Sequence, residues 1–177
     1  MRKLSVVFLT LLLAVPVFAQ LTAGPDNSPK VGDVAPDFAI PGAGRGQPGT
    51  NLKDFQGKKN VLLMFFPGAF TPGCTTEFTE AGQQFDKFTA LNIEMLGISA
   101  DLPGAQNQFK TTVGAKNNFV SDRTLAIAGK YDAAGANFAK RYYFLIDQTG
   151  KILWKSSNNS LIPTEQLLTQ VSQALKK

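Results

Sequence analysis

The sequence contains no histidine and a single cysteine, Cys74. Without histidine, the chain cannot build a Cys–His or Ser–His–Asp catalytic arrangement, and it lacks the imidazole ligands of many zinc, copper and haem sites. With one cysteine, it can form neither an internal disulfide nor a two-cysteine redox motif. We therefore expect no metal and no cofactor. Any activation of Cys74 must come from a helix terminus, from backbone amides or from an arginine.

The chain also has little excess charge and no long run of basic residues. Lysine and arginine number 18 against 13 acidic residues, which gives a formal net charge of +5 at pH 7. The basic runs are no longer than pairs, as at residues 58–59 and 176–177. A nucleic-acid surface normally needs a clustered basic patch, so the sequence predicts no nucleic-acid partner.

A long apolar stretch is present at residues 4–15, directly after Arg2 and Lys3. Compact residues occupy the −3 and −1 positions of a cleavage site after Ala19. A membrane-spanning helix would need roughly 20 apolar residues. The pattern therefore predicts a secretory signal peptide over residues 1–19 and export to the periplasm or out of the cell.

The remainder of the sequence divides into two parts. Residues 20–30 are rich in proline, asparagine, serine and glycine, and predict a flexible leader. Residues 31–177 have the length of one domain with a substantial core. A lone cysteine in an exported domain indicates a reactive thiol or an intermolecular pairing site.

The most informative stretch surrounds the cysteine. Residues 61–66 are all apolar and predict a buried strand, while phenylalanines at 78, 85 and 88 predict one continuous helix after Cys74. A proline- and glycine-rich turn connects the two elements, so Cys74 falls in the first turn of the helix. Free backbone N–H groups and the positive end of the helix dipole favour an anion there, and hence a thiolate.

The rest of the domain predicts further alternation of strands and helices. Strands are predicted at 93–99, 142–146 and 151–154, an extended piece at 119–120, and helices from 101 or 103 to about 113, over 123–131, and from 164 onward. Strand, helix and strand at the spacing around Cys74 imply a parallel unit. The predicted class is α/β: a thioredoxin fold with an N-terminal extension and an inserted helix, its central mixed sheet flanked by helices.

At this point the residues resemble a known family. Pro67, Thr71 and Cys74 spell P-x-x-x-T-x-x-C, which is similar to the peroxidatic motif of peroxiredoxins, in particular of the bacterioferritin-comigratory and alkyl-hydroperoxide-reductase branches. Residues 31–38 resemble the N-terminal signature V-G-D-x-A-P-D-F. The resemblance extends from residue 31 to about residue 154 and implies a thiol-dependent peroxidase acting on hydrogen peroxide and organic hydroperoxides.

The resemblance also implies roles around the nucleophile, Cys74. Thr71 would offer its hydroxyl to the peroxide, and Pro67 would shield the sulfur from water. The backbone N–H groups of Gly73 and Cys74 would point at the substrate. Thr71 has a second, compatible interpretation as the residue that caps the helix N-terminus.

An arginine completes the implied site. Arg141 begins a segment that matches the family pattern R-x-x-F-x-I-D, so it is predicted to lie beside the thiolate. Arg123 is a rival for that role because Ser121 and Asp122 resemble a family landmark near the site. Glu77 either orients the arginine or is an ordinary first-turn glutamate favoured by the helix dipole. A further set of residues is predicted to serve the core or a dimer surface: Tyr142, Tyr143 and Trp154.

The chain departs from the family at the second half of the catalytic cycle. Relatives of the bacterioferritin-comigratory type often carry a resolving cysteine five residues after the first, where this chain has Thr79. The cycle is therefore predicted to be of the 1-Cys type, with an external small thiol or thioredoxin-like protein as reductant, and a homodimer as one expectation. A thioredoxin-like reductase is excluded because Thr71 stands where a first cysteine would be. A non-enzymatic thioredoxin-fold module for binding or chaperoning remains the alternative.

Overall fold

The computed structural model describes residues 25–42 and 48–176. The predicted signal peptide at 1–19 lies outside these residues. The described elements, in chain order, are β1 (Ala39–Ile40), β2 (Thr50–Asn51), a 3-10 helix (Leu52–Phe55), β3 (Asn60–Phe65), α1 (Pro72–Gln83), α2 (Phe85–Ala90), β4 (Ile93–Ser99), α3 (Pro103–Val113), β5 (Asn118–Ser121), α4 (Ala126–Lys130), β6 (Tyr143–Ile146), β7 (Ile152–Ser156) and α5 (Thr164–Ala174). No helix among them is long and apolar enough to cross a bilayer.

The main sheet has five strands in the order β5-β4-β3-β6-β7. The strands β3, β4 and β5 are parallel, whereas β6 and β7 are antiparallel to their neighbours. Every residue of the central strand β3 is buried, which explains its apolar sequence without alternation. The prediction of a thioredoxin fold with a mixed sheet flanked by helices is confirmed.

A hydrophobic core covers each face of this sheet. Because side chains alternate along a strand, Leu63 and Phe65 of β3 enter one core, while Leu62 and Met64 enter the other. The second core also contains Cys74 of α1. Burial of each large apolar side chain contributes roughly 1.5–3 kcal/mol relative to exposure, so α1 is held against the sheet chiefly by its apolar face.

Four phenylalanines fix the position of α1 within the second core: Phe66, Phe78, Phe109 and Phe119. The rings of Phe66 and Phe78 are 4.8 Å apart, and those of Phe78 and Phe119 are 4.9 Å apart. Gly97 of β4 makes room for this packing, since a Cβ there would fall 2.7 Å from the Phe119 ring. The position of the helix that carries Cys74 thus depends on close packing of aromatic rings as well as on hydrophobic burial.

Some element boundaries differ from the sequence prediction. The continuous helix predicted after Cys74 is wrong: α1 ends at Gln83 and α2 begins at Phe85. The fourth helix starts only at Ala126, not at residue 123, because Leu125 has a left-handed φ of 57° that cannot continue a helix upstream. Strand β7 runs to Ser156, two residues beyond the predicted end.

The predicted flexible leader also differs in its described part. Asp26 Oδ2 accepts hydrogen bonds from Lys155 Nζ at 2.8 Å and from Ser157 Oγ at 2.7 Å. Ser28 is buried, and its hydroxyl accepts from Lys155 Nζ at 2.7 Å. Composition alone missed these contacts because each one depends on a residue more than 100 positions away. Residues 26–28 therefore dock on β7.

Candidate active site

The connection from β3 to α1 presents Cys74. Thr71 is the N-cap of α1, Pro72 occupies the first turn without an N–H to lose, and Cys74 follows two residues later, within that turn. The first backbone bond of the helix runs from Thr75 N to Thr71 O at 2.9 Å. The N–H groups of Gly73 and Cys74 precede that bond and lie at the positive end of the helix. The Cys74 side chain is fully buried.

The turn before the helix is held by side-chain hydrogen bonds. Asp101 Oδ2 accepts the backbone N–H of Ala69 at 2.8 Å, and Thr71 Oγ1 donates to the carbonyl of Gly68 at 3.1 Å. The Thr71 side chain therefore makes no capping bond, and only the N-cap position of that interpretation is retained. Phe70 has a left-handed φ of 63°, a strained conformation for a bulky residue, and its ring packs 5.4 Å from that of Phe109.

Arg141 reaches the sulfur from the segment that leads into β6, two residues before that strand begins. Its Nη2 lies 3.2 Å from Cys74 Sγ, and the residue is 8% exposed. The antiparallel register of β3 and β6 pairs Met64 with Tyr143, which brings Arg141 to the end of β3 where the turn begins. Burial lowers the pKa of Arg141, but the negative charges of Glu77 and Cys74 raise it by more, so the guanidinium keeps its charge. The structure thus places a permanent positive charge against the sulfur.

Glu77 lies one helical turn after Cys74 and on the same face of α1. One carboxylate oxygen pairs with Arg141 Nη1, and the other accepts a hydrogen bond of 2.6 Å from the hydroxyl of Tyr143. Burial raises the pKa of the Glu77 carboxyl above its ordinary value, whereas the Arg141 charge and the Tyr143 hydroxyl oppose that rise. Of the two interpretations of Glu77, the structure favours the one in which it contacts the arginine.

Tyr143 is the site residue that the sequence analysis assigned to the core or a dimer surface. It is fully buried in the core, and its hydroxyl also reaches Glu77. A signal was present in the sequence, since Arg141 directly precedes the predicted strand 142–146 and lies two residues from Tyr143, the spacing at which side chains of an extended chain share one face. Tyrosine is common in strands, so its presence at this position needed no polar partner as an explanation, and the contact with Glu77 was not predicted.

The remaining predicted residues are arranged as follows. Pro67 is half-buried at the end of β3, and Gly73 is exposed beside Arg141, where a Cβ would fall 3.6 Å from Nη2. Arg123 is exposed in the turn after β5, and no hydrogen bond or ion pair among residues 25–42 and 48–176 links it to Cys74. The structure therefore brings Cys74, Arg141 and Glu77 together and leaves Arg123 outside.

Comparison with known proteins gives this geometry its context. The sequence profile described as the AhpC/TSA family matches residues 31–155. The chain belongs to the AhpC/TSA family. This match has nearly the same limits as the resemblance found in the sequence, and it confirms the predictions of a peroxiredoxin and of a thiol-dependent peroxidase.

Relatives and solved structures agree with that membership. The chain is 34% identical over 134 residues to peroxiredoxin Bcp of Escherichia coli K12, covering 71% of this chain and 84% of the relative. It is 35% identical over 153 residues to the chloroplastic 2-Cys peroxiredoxin BAS1 of Hordeum vulgare, covering 80% and 72%. Among solved structures, the reduced 2-Cys peroxiredoxin of Plasmodium vivax is similar with a TM-score of 0.70 and 27% identity, covering 81% of this chain and 94% of that one. Peroxidoxin BcpB of Mycobacterium tuberculosis gives a TM-score of 0.68 at 25% identity, covering 83% and 94%.

Proposed function

We propose that this AhpC/TSA-family chain is an exported peroxidase of the 1-Cys type, in which Cys74 attacks the peroxide and an external thiol recycles it. The observation that carries the proposal is the 3.2 Å contact between Arg141 Nη2 and the sulfur of the single cysteine. The contact supplies a permanent positive charge to a group that reacts as an anion. A sequence with one cysteine offers no second thiol to complete the cycle within the chain.

The first half of the reaction follows from the residues at the site. The Cys74 thiolate attacks one peroxide oxygen, a sulfur–oxygen bond forms, and the oxygen–oxygen bond breaks. The second oxygen leaves as hydroxide or alkoxide and takes up a proton, so the peroxide is reduced while the sulfur is oxidised to a sulfenic acid. Negative charge moves from sulfur to the leaving oxygen along this line. Fixed donors in the site stabilise that movement without reorganisation.

Each remaining site residue has a role in this scheme. Arg141 stabilises the thiolate and the transition state, and Glu77 orients the guanidinium. Thr71 and the backbone N–H groups of Gly73 and Cys74 bind the peroxide oxygens. Pro67 limits access of water to the sulfur. Hydrogen peroxide and organic hydroperoxides are the proposed substrates.

The second half of the reaction uses a reductant from outside the chain. A first external thiol attacks the sulfenic sulfur, water leaves, and a mixed disulfide forms at Cys74. A second thiol attacks the mixed disulfide, which releases the Cys74 thiol and leaves the reductant as a disulfide. A small thiol or a thioredoxin-like protein has the required chemistry. Two copies of the chain forming a homodimer are compatible with this scheme.

Peroxide consumption by the purified protein with dithiothreitol tests the proposal. We expect turnover in the wild type and none above the enzyme-free control in Cys74→Ser, because a serine hydroxyl is a poor nucleophile here. Turnover that persists in Cys74→Ser would contradict the assignment, since the sequence contains no other cysteine. A folded wild type that consumes no peroxide with any thiol would favour the non-enzymatic binding module.

Export has its own test. We expect the mature protein to begin at residue 20 when the full chain is expressed and recovered from outside the cytoplasm. N-terminal sequencing of that protein decides the point. A chain recovered uncleaved in the cytoplasm would overturn the proposed export and leave the peroxidase chemistry unaffected.

A further inference from the structure

A continuous series of contacts runs from the sulfur into the core of the sheet. Arg141 Nη2 lies 3.2 Å from Cys74 Sγ, Arg141 Nη1 pairs with Glu77, and Glu77 accepts a hydrogen bond of 2.6 Å from Tyr143. We propose that Tyr143 is a positioning residue of the peroxidase, whose hydroxyl fixes the Glu77 carboxylate and thereby directs the Arg141 guanidinium at the sulfur. This inference rests on the proposed function.

The two carboxylate oxygens of Glu77 explain why a second partner matters. One oxygen pairs with Arg141, and the other would be a buried, unpaired acceptor without Tyr143. With both oxygens engaged, the carboxylate has no freedom to rotate about its last torsion. The Arg141 fork is then fixed in one orientation, with Nη1 on the carboxylate and Nη2 on the sulfur.

The surroundings of Tyr143 keep its hydroxyl available as a donor. The residue is fully buried on β6, so water does not compete for Glu77. Burial and the neighbouring carboxylate raise the pKa of Tyr143 above its ordinary value, so the hydroxyl stays protonated. Among the described residues, no buried side-chain nitrogen or oxygen lacks a hydrogen-bond partner, and this site conforms to that pattern.

The competing explanation is that Tyr143 only fills the core. The chain offers a matched control for it in Tyr131, which is also fully buried and donates a hydrogen bond, at 2.7 Å to the backbone carbonyl of Pro36. Tyr131 belongs to the core on the opposite face of the sheet from Cys74. A tyrosine-to-phenylalanine change at either position removes a buried hydroxyl and keeps the ring.

The experiment compares Tyr143→Phe with Tyr131→Phe in the full chain. The measured quantities are the rate constant for oxidation of Cys74 by hydrogen peroxide in a single turnover and the rate of Cys74 alkylation by iodoacetamide. We expect Tyr143→Phe to slow oxidation by about tenfold, which corresponds to loss of one hydrogen bond to a charged group, and to change the alkylation rate as well. Tyr131→Phe should leave both rates within about twofold of the wild type.

A double-mutant cycle with Glu77→Gln separates positioning from packing. The neutral amide cannot form an ion pair with Arg141. In that variant the Tyr143 hydroxyl therefore no longer orients a carboxylate that pairs with the guanidinium. In the Glu77→Gln background, Tyr143→Phe should therefore change the oxidation rate by less than about twofold. Equal and additive effects in both backgrounds would overturn the proposal.

Other outcomes are equally decisive. If Tyr143→Phe matches Tyr131→Phe in both rates, Tyr143 has no positioning role. If Tyr143→Phe unfolds at temperatures where Glu77→Gln stays folded, the hydroxyl serves folding, and the proposal also fails. A wild type that never reacts with peroxide contradicts the proposed function instead. Alkylation of Cys74 would still report whether Tyr143 acts on the sulfur.

Discussion

Arg141 Nη2 lies 3.2 Å from Cys74 Sγ, although the two residues are 67 positions apart in the chain. Helix α1 carries the sulfur, and Arg141, two residues before the start of β6, carries the guanidinium. Since β6 pairs with β3, and β3 leads into the turn before α1, the sheet register sets this distance. The position of the guanidinium beside the sulfur is thus a property of strand pairing.

Replacement of Arg141 by lysine tests this contact. An ammonium is a point charge and cannot reproduce the planar fork that contacts both Glu77 and the sulfur. We expect Arg141→Lys to stay folded and to slow peroxide attack by about 10- to 100-fold, since a fixed donor to the developing charge is lost. Stopped-flow kinetics with hydrogen peroxide and a thermal melt measure the two properties.

Arg123→Lys is the control for that substitution. Arg123 is exposed in the turn after β5, so we expect Arg123→Lys to react with peroxide at the same rate as the wild type. If Arg123→Lys slows peroxide attack and Arg141→Lys does not, Arg123 is the arginine that acts on the sulfur.

The single cysteine predicts the products of oxidation. After one equivalent of peroxide, Cys74 should be a sulfenic acid that reacts with dimedone, and excess peroxide should drive it to sulfinic acid. A disulfide between two copies would require both buried sulfurs to come out, because its geometry needs Cα atoms within about 7 Å. Intact-protein mass spectrometry after graded peroxide distinguishes these species.

A covalent dimer formed quantitatively, without any sulfenic or sulfinic species, would refute the 1-Cys scheme. Resolution would then occur between protomers. Cys74→Ser provides the control, since it can form neither the sulfenic nor the sulfinic species under the same treatment.

Asp101 offers a test of the turn before α1. Its Oδ2 accepts from Ala69 N and from Ser99 Oγ, both at 2.8 Å. Asp101→Ala frees the turn that holds Phe70 in its left-handed conformation and Thr71 in place. We expect the rate of peroxide attack to fall about tenfold, because small misplacements of catalytic groups slow the reaction. We also expect the free energy of unfolding to fall by about 1 kcal/mol.

Asp147→Ala is a suitable comparison for Asp101→Ala. Asp147 Oδ1 also accepts backbone N–H groups, from Thr149 at 2.8 Å and Lys151 at 2.9 Å, but in the turn between β6 and β7. Its loss should lower the free energy of unfolding and leave the rate of peroxide attack unchanged. Equal rates in the two variants would mean that Asp101 does not support the site.

The docked N-terminal segment predicts a dependence of stability on pH. The hydrogen bond from Lys155, followed by that from Ser28, lowers the pKa of Asp26 below its ordinary 3.8. A lowered pKa stabilises the folded state above pH 3.8, and this contribution is lost as the pH falls further. Because Asp26 is partly exposed, we expect Asp26→Asn to lower the free energy of unfolding at pH 7 by only about 0.5 kcal/mol.

Urea titrations at pH 7 and near pH 3 measure this difference. The difference between the wild type and Asp26→Asn should be smaller near pH 3 than at pH 7, because the unfolded chain binds a proton at Asp26 below pH 3.8 while the folded state keeps the carboxylate ionised to lower pH. Asp86→Asn is the control, because its side chain is 87% exposed and its pairing with Lys116 spans 3.5 Å. No difference between wild type and Asp26→Asn at pH 7 would mean that the segment is not held by this contact.

Local features of the sequence were sufficient to predict much of the fold and to identify the candidate nucleophile. The apolar run of β3, the turn residues and Pro72 act within a few positions of each other, so they placed Cys74 in the first turn of a helix. Strand β4 and helix α3 also agree with their predicted limits, since Asn92 directly precedes the strand and Pro103 begins the helix. The motif around Cys74 indicated the family because its spacing is local as well.

Tertiary structure decided what depends on distant partners. The choice of Arg141 over Arg123 on physical grounds required the register of β3 with β6. The Tyr143 hydroxyl could not be assigned because a strand tyrosine has an apolar ring that suits a core as well as a polar contact. Local sequence thus identified the candidate nucleophile, while strand pairing and burial determined which charges surround it, since both bring together residues that chain order separates.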